Sequence, residues 1–309
     1  MRKIFAIPLL TLGVLGVSAA AAYVFLPWQN IAGQRLQAIL ESKGFQNVQL
    51  TLSDIGLTGA TLQDITVGED PPLTLRNLTL AYTPTELWAG TLNTLDIKEL
   101  KLTMQQVDGA WSIQGLKSSS SGAPFTLPAT PESLSAIPFS ALTLSDSAIT
   151  VMTPTWRLDA PLDGKWQRQP ETQIEISSKQ PRFEMGKINA TAATAEMKAT
   201  LNDTPAWDGT WSASDVEITG TTPLPPLSAN GTITAQSDNI IVTGTLISAD
   251  KQTSASFTYT QFFADSSKNT LLINSAAMPW KNGIVGAKNV KIPLTGSGPF
   301  HINLDVKNV

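Results

Sequence analysis

The chain has 309 residues, enough for one large or two ordinary domains, and carries a net charge of −4 with no cysteine. Only 15% of residues are charged while 42% are apolar. Ser, Thr, Asn and Gln fill the gap, which suits pleated surfaces better than soluble helices. These values exclude a disulfide framework or thiol site and argue against a nucleic-acid partner, which needs a basic patch.

Arg2 and Lys3 lead an uncharged run from Ile4 to Leu26, closed by Pro27 and Trp28. At about 1.5 Å per residue its 23 residues span the roughly 30 Å hydrocarbon core of a bilayer. The basic pair places the N-terminus in the cytoplasm, with Tyr23 and Trp28 at the far interface. Residues 1–28 therefore read as an uncleaved transmembrane anchor. A cleaved signal peptide is the competing reading, because Ser18 to Ala22 offers small residues for cleavage, but the apolar run continues past them to Leu26. Both readings export the rest of the chain.

Residues 29–116 read as a short helix plus a first β-repeat region. Ile31, Leu36, Ile39 and Leu40 recur at helical spacing, and Lys43-Gly44 supplies a cation and a C′ glycine. From Val48 the period changes to two. Leu50, Leu52, Ile55 and Leu57 form a pattern that returns at Leu73, Leu75, Leu78 and Leu80, and again at Leu95, Ile97, Leu100 and Leu102. The starts lie 23 and 22 residues apart, a repeat-like spacing. Alternation breaks once in each copy, where two polar or small residues intervene. A bulge or bend there keeps both halves on one face. Thr85 to Trp88 reads as a single helical turn, and Asp108-Gly109 as a hairpin turn.

Residues 117–136 read as a Ser/Pro-rich linker or long loop, with four serines from Ser118 followed by Gly122, Pro124, Pro128 and Pro131. Residues 137–309 continue the β-rich pattern. Strands are expected over 139–152, 156–162, 172–177, 188–201, 207–218, 231–247, 254–262 and 270–273, with a last alternating segment from Phe300 to Val306. An apolar-alternating edge of that kind invites pairing with a partner, or continuation of the sheet in a longer chain.

No catalytic constellation emerges. His301 is the single histidine and stands in an expected strand; no Cys/His set exists for zinc, and no nucleophile elbow accompanies a serine. Gly296-Ser297-Gly298 is followed by Pro299 rather than a helix, so it cannot cradle phosphate. No cofactor or metal is expected. The tryptophans at 88, 111, 156, 166, 207, 211 and 280 are spread along the strands and read as core or sheet-edge residues.

The order of these signals up to Leu116 resembles the AsmA-like proteins of Gram-negative bacteria, the group containing the YdbH and TamB branches. The features that carry the resemblance run in sequence. The Arg-Lys-led anchor precedes a helix ending Lys43-Gly44-Phe45, then Ile55-Gly56-Leu57-Thr58-Gly59-Ala60-Thr61-Leu62-Gln63-Asp64-Ile65. Leu78 to Pro84, Leu87-Trp88-Ala89-Gly90, and Leu95 to Met104 running into Asp108 to Ser112 follow. Ile137-Pro138-Phe139 to Val151 looks like the next unit of the YdbH branch.

The resemblance implies an all-β body: an extended, twisted, partly open antiparallel sheet carried by an inner-membrane anchor, with most of the chain in the periplasm. Its apolar groove would move phospholipid between the inner and outer membranes without catalysis. Groove candidates are Leu50, Leu52, Leu62, Ile65, Val67, Leu78, Leu80, Leu95, Ile97, Leu100 and Leu102. Alternation alone favours a closed core at these positions; the resemblance turns the preference to a groove. The implied partners are phospholipid, the inner membrane and outer-membrane or other envelope proteins at the C-terminal strand edge. The chain is shorter than such proteins usually are, so it reads as an N-terminal portion or a short relative. The alternative is a non-catalytic envelope scaffold, or a secretion or assembly component, that binds a protein partner.

Overall fold

The computed structural model describes residues 47–68, 72–89, 91–107, 110–113, 137–202, 206–220, 224–262, 266–280, 283–293 and 301–307, with single positions at 34, 37, 38, 41 and 134. The described protein is all-β, with extensive antiparallel pairing and few helices. The anchor expected over 1–28 lies outside the described residues, as does the segment 117–136 apart from Leu134. Of the expected short helix, positions 34, 37, 38 and 41 are helical, and Gln37 Nε2 donates to Glu41 Oε1 at 3.1 Å. No helix among the described residues is long and apolar enough to cross a membrane. The chain forms two compact units, one of residues 1–123 and 130–176, the other of residues 124–129 and 177–309.

In the first unit, β1 (Gln49–Ile55), β2 (Gly59–Val67), β3 (Leu73–Ala81) and β4 (Leu92–Val107) form an antiparallel meander. The helical turn expected near Thr85 is α1 (Pro84–Trp88), between β3 and β4. Thr83 Oγ1 accepts from the Glu86 amide at 3.2 Å and Glu86 Oε2 accepts from the Thr83 amide at 2.7 Å, a capping box with Pro84 at the first helical position. β5 (Ala110–Ile113) folds back on the end of β4. Val107 pairs directly with Ala110, and the hairpin turn expected at Asp108-Gly109 lies outside the described residues. β6 (Phe139–Met152) runs parallel to β4, from Leu92 opposite Phe139 to Gln105 opposite Met152, and β7 (Arg157–Gln167) returns antiparallel along β6. The strands before and after residues 117–136 are thus sheet neighbours within one unit.

The breaks in alternation are aligned across this sheet. In β2, β3 and β4 two consecutive residues face outward at Gln63-Asp64, Arg76-Asn77 and Lys98-Glu99, while Leu62 and Ile65, Leu75 and Leu78, and Ile97 and Leu100 keep to the inner side. Gln63, Asn77, Lys98 and Ser145 of β6 stand opposite one another in turn. In β2, β4 and β6 the break is made by a residue in the left-handed conformation, Asp64, Glu99 and Asp146, at φ of 51°, 55° and 51°, whereas β3 breaks without one. Arg76 spans the crease: its Nη1 donates to both Glu99 carboxylate oxygens at 3.0 Å, so the carboxylate raises the guanidinium pKa further above its ordinary range.

On the inner side, Ser147 fills the gap left by the break. Its Oγ accepts from the Leu100 amide at 3.0 Å and donates to the Ser145 carbonyl at 3.0 Å, although the residue is buried. Ser147→Ala is expected to leave that amide unpaired and to cost about 1–3 kcal/mol, seen as a lower urea midpoint at unchanged slope.

In the second unit the boundary falls within β8 (Gln173–Lys179), after which β9 (Arg182–Met185) and β10 (Ile188–Thr191) form a short hairpin. β11 (Thr194–Leu201), β12 (Trp207–Thr219), β13 (Leu227–Ala235), β14 (Asn239–Ser248), β15 (Ser254–Phe262), β16 (Thr270–Trp280), β17 (Gly283–Pro293) and β18 (His301–Lys307) follow as a continuous antiparallel meander. β10 pairs with the far end of β12, with Thr191 opposite Glu217.

Candidate functional site

The strands of the second unit separate two chemistries. On one face hydroxyls and amides bond across strands: Thr232 with Thr243 at 2.7 Å, Ser256 with Ser275 at 2.8 Å, and Thr245 Oγ1 to Asn230 Oδ1 at 3.2 Å. Thr234 Oγ1 donates to Asp208 Oδ1 at 2.7 Å on the same side. These exposed ladders explain why the chain is rich in neutral polar residues and poor in charge, since each pair supports the sheet without an ion pair.

The other face is apolar. Pairing brings Ala213, Ala229, Leu246, Ala255, Ala276 and Ala287 into one row across β12 to β17. A break at Asp215, with φ of 49°, lets Val216 and Ile218 continue on that face beyond the row. A cavity of about 310 Å³ opens here, lined by Ile218, Leu224, Leu227, Leu246, Thr253, Ser254, Ala255, Ala276, Ala277, Met278, Val285, Gly286 and Ala287. It exists because the row is built largely of alanine, whose methyl groups leave space that leucine would fill. Its volume is at the lower end of the roughly 300–1,000 Å³ typical of small-molecule sites.

A second row bounds the first. Trp211, Gly231, Gly244 and Phe257 stand in register across β12, β13, β14 and β15. Gly244 lets the flanking rings lean over it, since a Cβ there would lie 2.5 Å from Trp211 Cζ2 and 2.8 Å from Phe257 Cζ, whereas a Cβ on Gly231 would strike the Thr243 backbone. The ring centroids are 6.1 Å apart at 44°. Trp211 Nε1 donates to the Thr243 carbonyl at 3.0 Å, which pins the indole across β13. Two residues further along β15, burial raises the Tyr259 phenol pKa above its ordinary value, so the ring stays neutral at physiological pH. Its hydroxyl donates to Gln261 Oε1 at 2.9 Å.

The groove candidates read from the sequence fall in the first unit. Leu62, Ile65, Val67, Leu78, Leu80, Leu95 and Ile97 are buried together, with Leu62, Leu78 and Leu95 at 0% exposure, and Leu50, Leu52, Leu100 and Leu102 are half-buried. Leu62, Leu78, Ile97 and Leu144 form one cross-strand row. The cavity residues of the second unit were not among the candidates. Alanines carry little hydropathy signal, and only the pairing of β14 to β17 gathers Leu246, Ala255, Ala276 and Ala287. Among the described residues no group of three or more His, Cys, Asp or Glu could hold a metal ion.

A family model described as YdbH-like, intermembrane phospholipid transport protein YdbH, matches residues 9–303. The chain belongs to the YdbH-like family. No curated protein and no solved structure matches it. The family resemblance carried by the first half of the sequence therefore extends through both compact units. The YdbH-like description names phospholipid as the transported molecule, and the apolar cavity of the second unit has the chemistry an acyl chain requires.

Proposed function

We propose that this YdbH-like protein is a passive, non-catalytic carrier that moves phospholipid between the inner and outer membranes. Residues 1–28 anchor it in the inner membrane, the remainder stands in the periplasm, and acyl chains lie on a partly open apolar β-groove. The observation that carries the reading is the cavity lined by Leu227, Leu246, Ala255, Ala276, Met278 and Ala287, on a sheet whose other face is covered with hydroxyl ladders. An acyl chain gains about 0.8 kcal/mol per buried CH₂, so partial burial already offsets much of the cost of leaving a bilayer. The passive mechanism is supported by the sequence, which carries no nucleotide-binding motif.

Leu50, Leu52, Leu100 and Leu102, the half-buried margin of the first unit's leucine-rich face, are proposed as groove positions of that unit. Envelope proteins are proposed to pair with the terminal strand, β18, by strand addition.

The test is to purify the full chain from bacterial membranes and analyse it by native mass spectrometry. Stoichiometric phospholipid is expected. A folded body that carries no lipid but holds a stable protein partner would make it an envelope scaffold instead.

A further inference from the structure

The aromatic row has a consequence for which part of a lipid the cavity accepts, and it rests on the lipid-carrier reading above. The cavity is bordered along the strands by Leu246 of β14 and Ala255 of β15. Two residues further on, about 7 Å at a strand's rise of 3.3–3.4 Å per residue, the same face carries Gly244 and Phe257, with Trp211 leaning in from β12. Neither ring lines the cavity itself; they stand one row beyond its Leu246–Ala255 edge. Of the two glycines in that row, Gly244 is covered by both rings, and the indole reaches past Gly231 to donate to the Thr243 carbonyl at 3.0 Å.

Arg168 is spent holding the carbonyls of Leu134 and Ile137, at 2.8 and 2.7 Å, with its guanidinium over the Trp166 ring. Glu99 on the crease of the first unit has Arg76 as its cation, and among the described residues the acidic side chains there form no group that could hold a metal ion.

We propose that Trp211 and Phe257 form the stop of the acyl seat: the methyl end of a chain entering the alanine-lined cavity abuts the indole, and the pair sets the chain length the cavity prefers. The rings are suited to this role. They are large, apolar and held by hydrogen bonding and mutual contact, so they offer a rigid end wall where aliphatic side chains would yield. The glycerol and headgroup then lie toward the Met278–Val285 side, on the opposite side of the alanine row from the rings.

The test uses the full chain loaded from vesicles of phosphatidylcholine brominated near the carboxyl end, at mid-chain or near the methyl end of the acyl chain. Bromine quenches tryptophan on contact, and the difference between wild type and Trp211→Phe isolates the contribution of Trp211. Quenching of Trp211 is expected to be several-fold stronger for the methyl-end probe than for the carboxyl-end probe. In parallel, Phe257→Ala loaded from vesicles of mixed chain length is expected to retain longer chains than wild type, read by native mass spectrometry. Equal quenching by all three probes overturns the proposal, as does an unchanged chain-length distribution in a Phe257→Ala protein that still binds lipid. A wild type that takes up no lipid from any vesicle removes the carrier reading itself, and the stop with it.

Discussion

An aspartate at Ala276 is expected to strip the protein of phospholipid and leave it folded. Ala276 sits in the middle of the row Leu246–Ala255–Ala276–Ala287 and is half-buried, at a cavity that opens to solvent. Without lipid, a carboxylate there can stay hydrated, so the folded state loses little. With lipid, the same charge must be desolvated against an acyl chain, which costs several kcal/mol per ion. Each 1.4 kcal/mol is tenfold in affinity, so lipid retention should fall by about a hundredfold or more. The measurement is bound phospholipid per chain alongside thermal unfolding, whose midpoint should move by only a few degrees. Ala276→Leu supplies the uncharged comparison: it fills the space with methylenes and should reduce occupancy less steeply. Retained lipid in Ala276→Asp would show that the acyl chains lie elsewhere.

The opposite outcome is expected at Leu78. It is fully buried in the first unit, between Leu62 on β2 and Ile97 on β4. Truncation to alanine should cost about 2–5 kcal/mol, because the surrounding leucines cannot collapse onto the space. Against a total stability of about 5–15 kcal/mol, that is a large loss. Leu78→Asp adds an unpaired buried charge and should not yield a folded first unit at all. Urea unfolding of Leu78→Ala and the solubility and circular dichroism of Leu78→Asp decide the matter. If Leu78→Asp folds normally and loses only its lipid, the interior of the first unit is itself the groove, and the leucines named there take over the role given to the alanines.

These two residues also mark how far the sequence could be read. Strong alternation gave β6 and β15 to the residue, and the paired polar positions at Lys98-Glu99 revealed a break in β4 that the φ of Glu99 confirms. Weaker punctuation misled. The sequence reading ran β13 and β14 together because only Gln236, Ser237 and Asp238 separate them, with neither glycine nor proline. It cut β7 short at Leu162, before Asp163-Gly164, although the strand runs through to Gln167. It missed β17, where Lys288-Asn289 interrupts the alternation with another left-handed residue. Leucine drew attention to the first unit because its signal is strong, yet large leucines facing one another close the space between them. The cavity depends on small side chains, and the aromatic pair meets only because Gly231 and Gly244 intervene. That relation spans residues 211 to 257 and becomes visible only once the strands are paired.

The aligned breaks of β2, β3, β4 and β6 constrain how such a sheet can change over generations. Each break reverses the parity of the residues that follow it. Deleting Glu99 alone would restore strict alternation in β4, leaving Ile97 and Leu100 two residues apart while Leu78 and Leu75 opposite them stay three apart. The neighbouring strands, still broken at Asn77 and Ser145, would no longer match. Adding or removing a whole hairpin leaves every remaining break in line with its neighbours. A lineage built this way can grow or shrink by paired strands far more readily than by single residues.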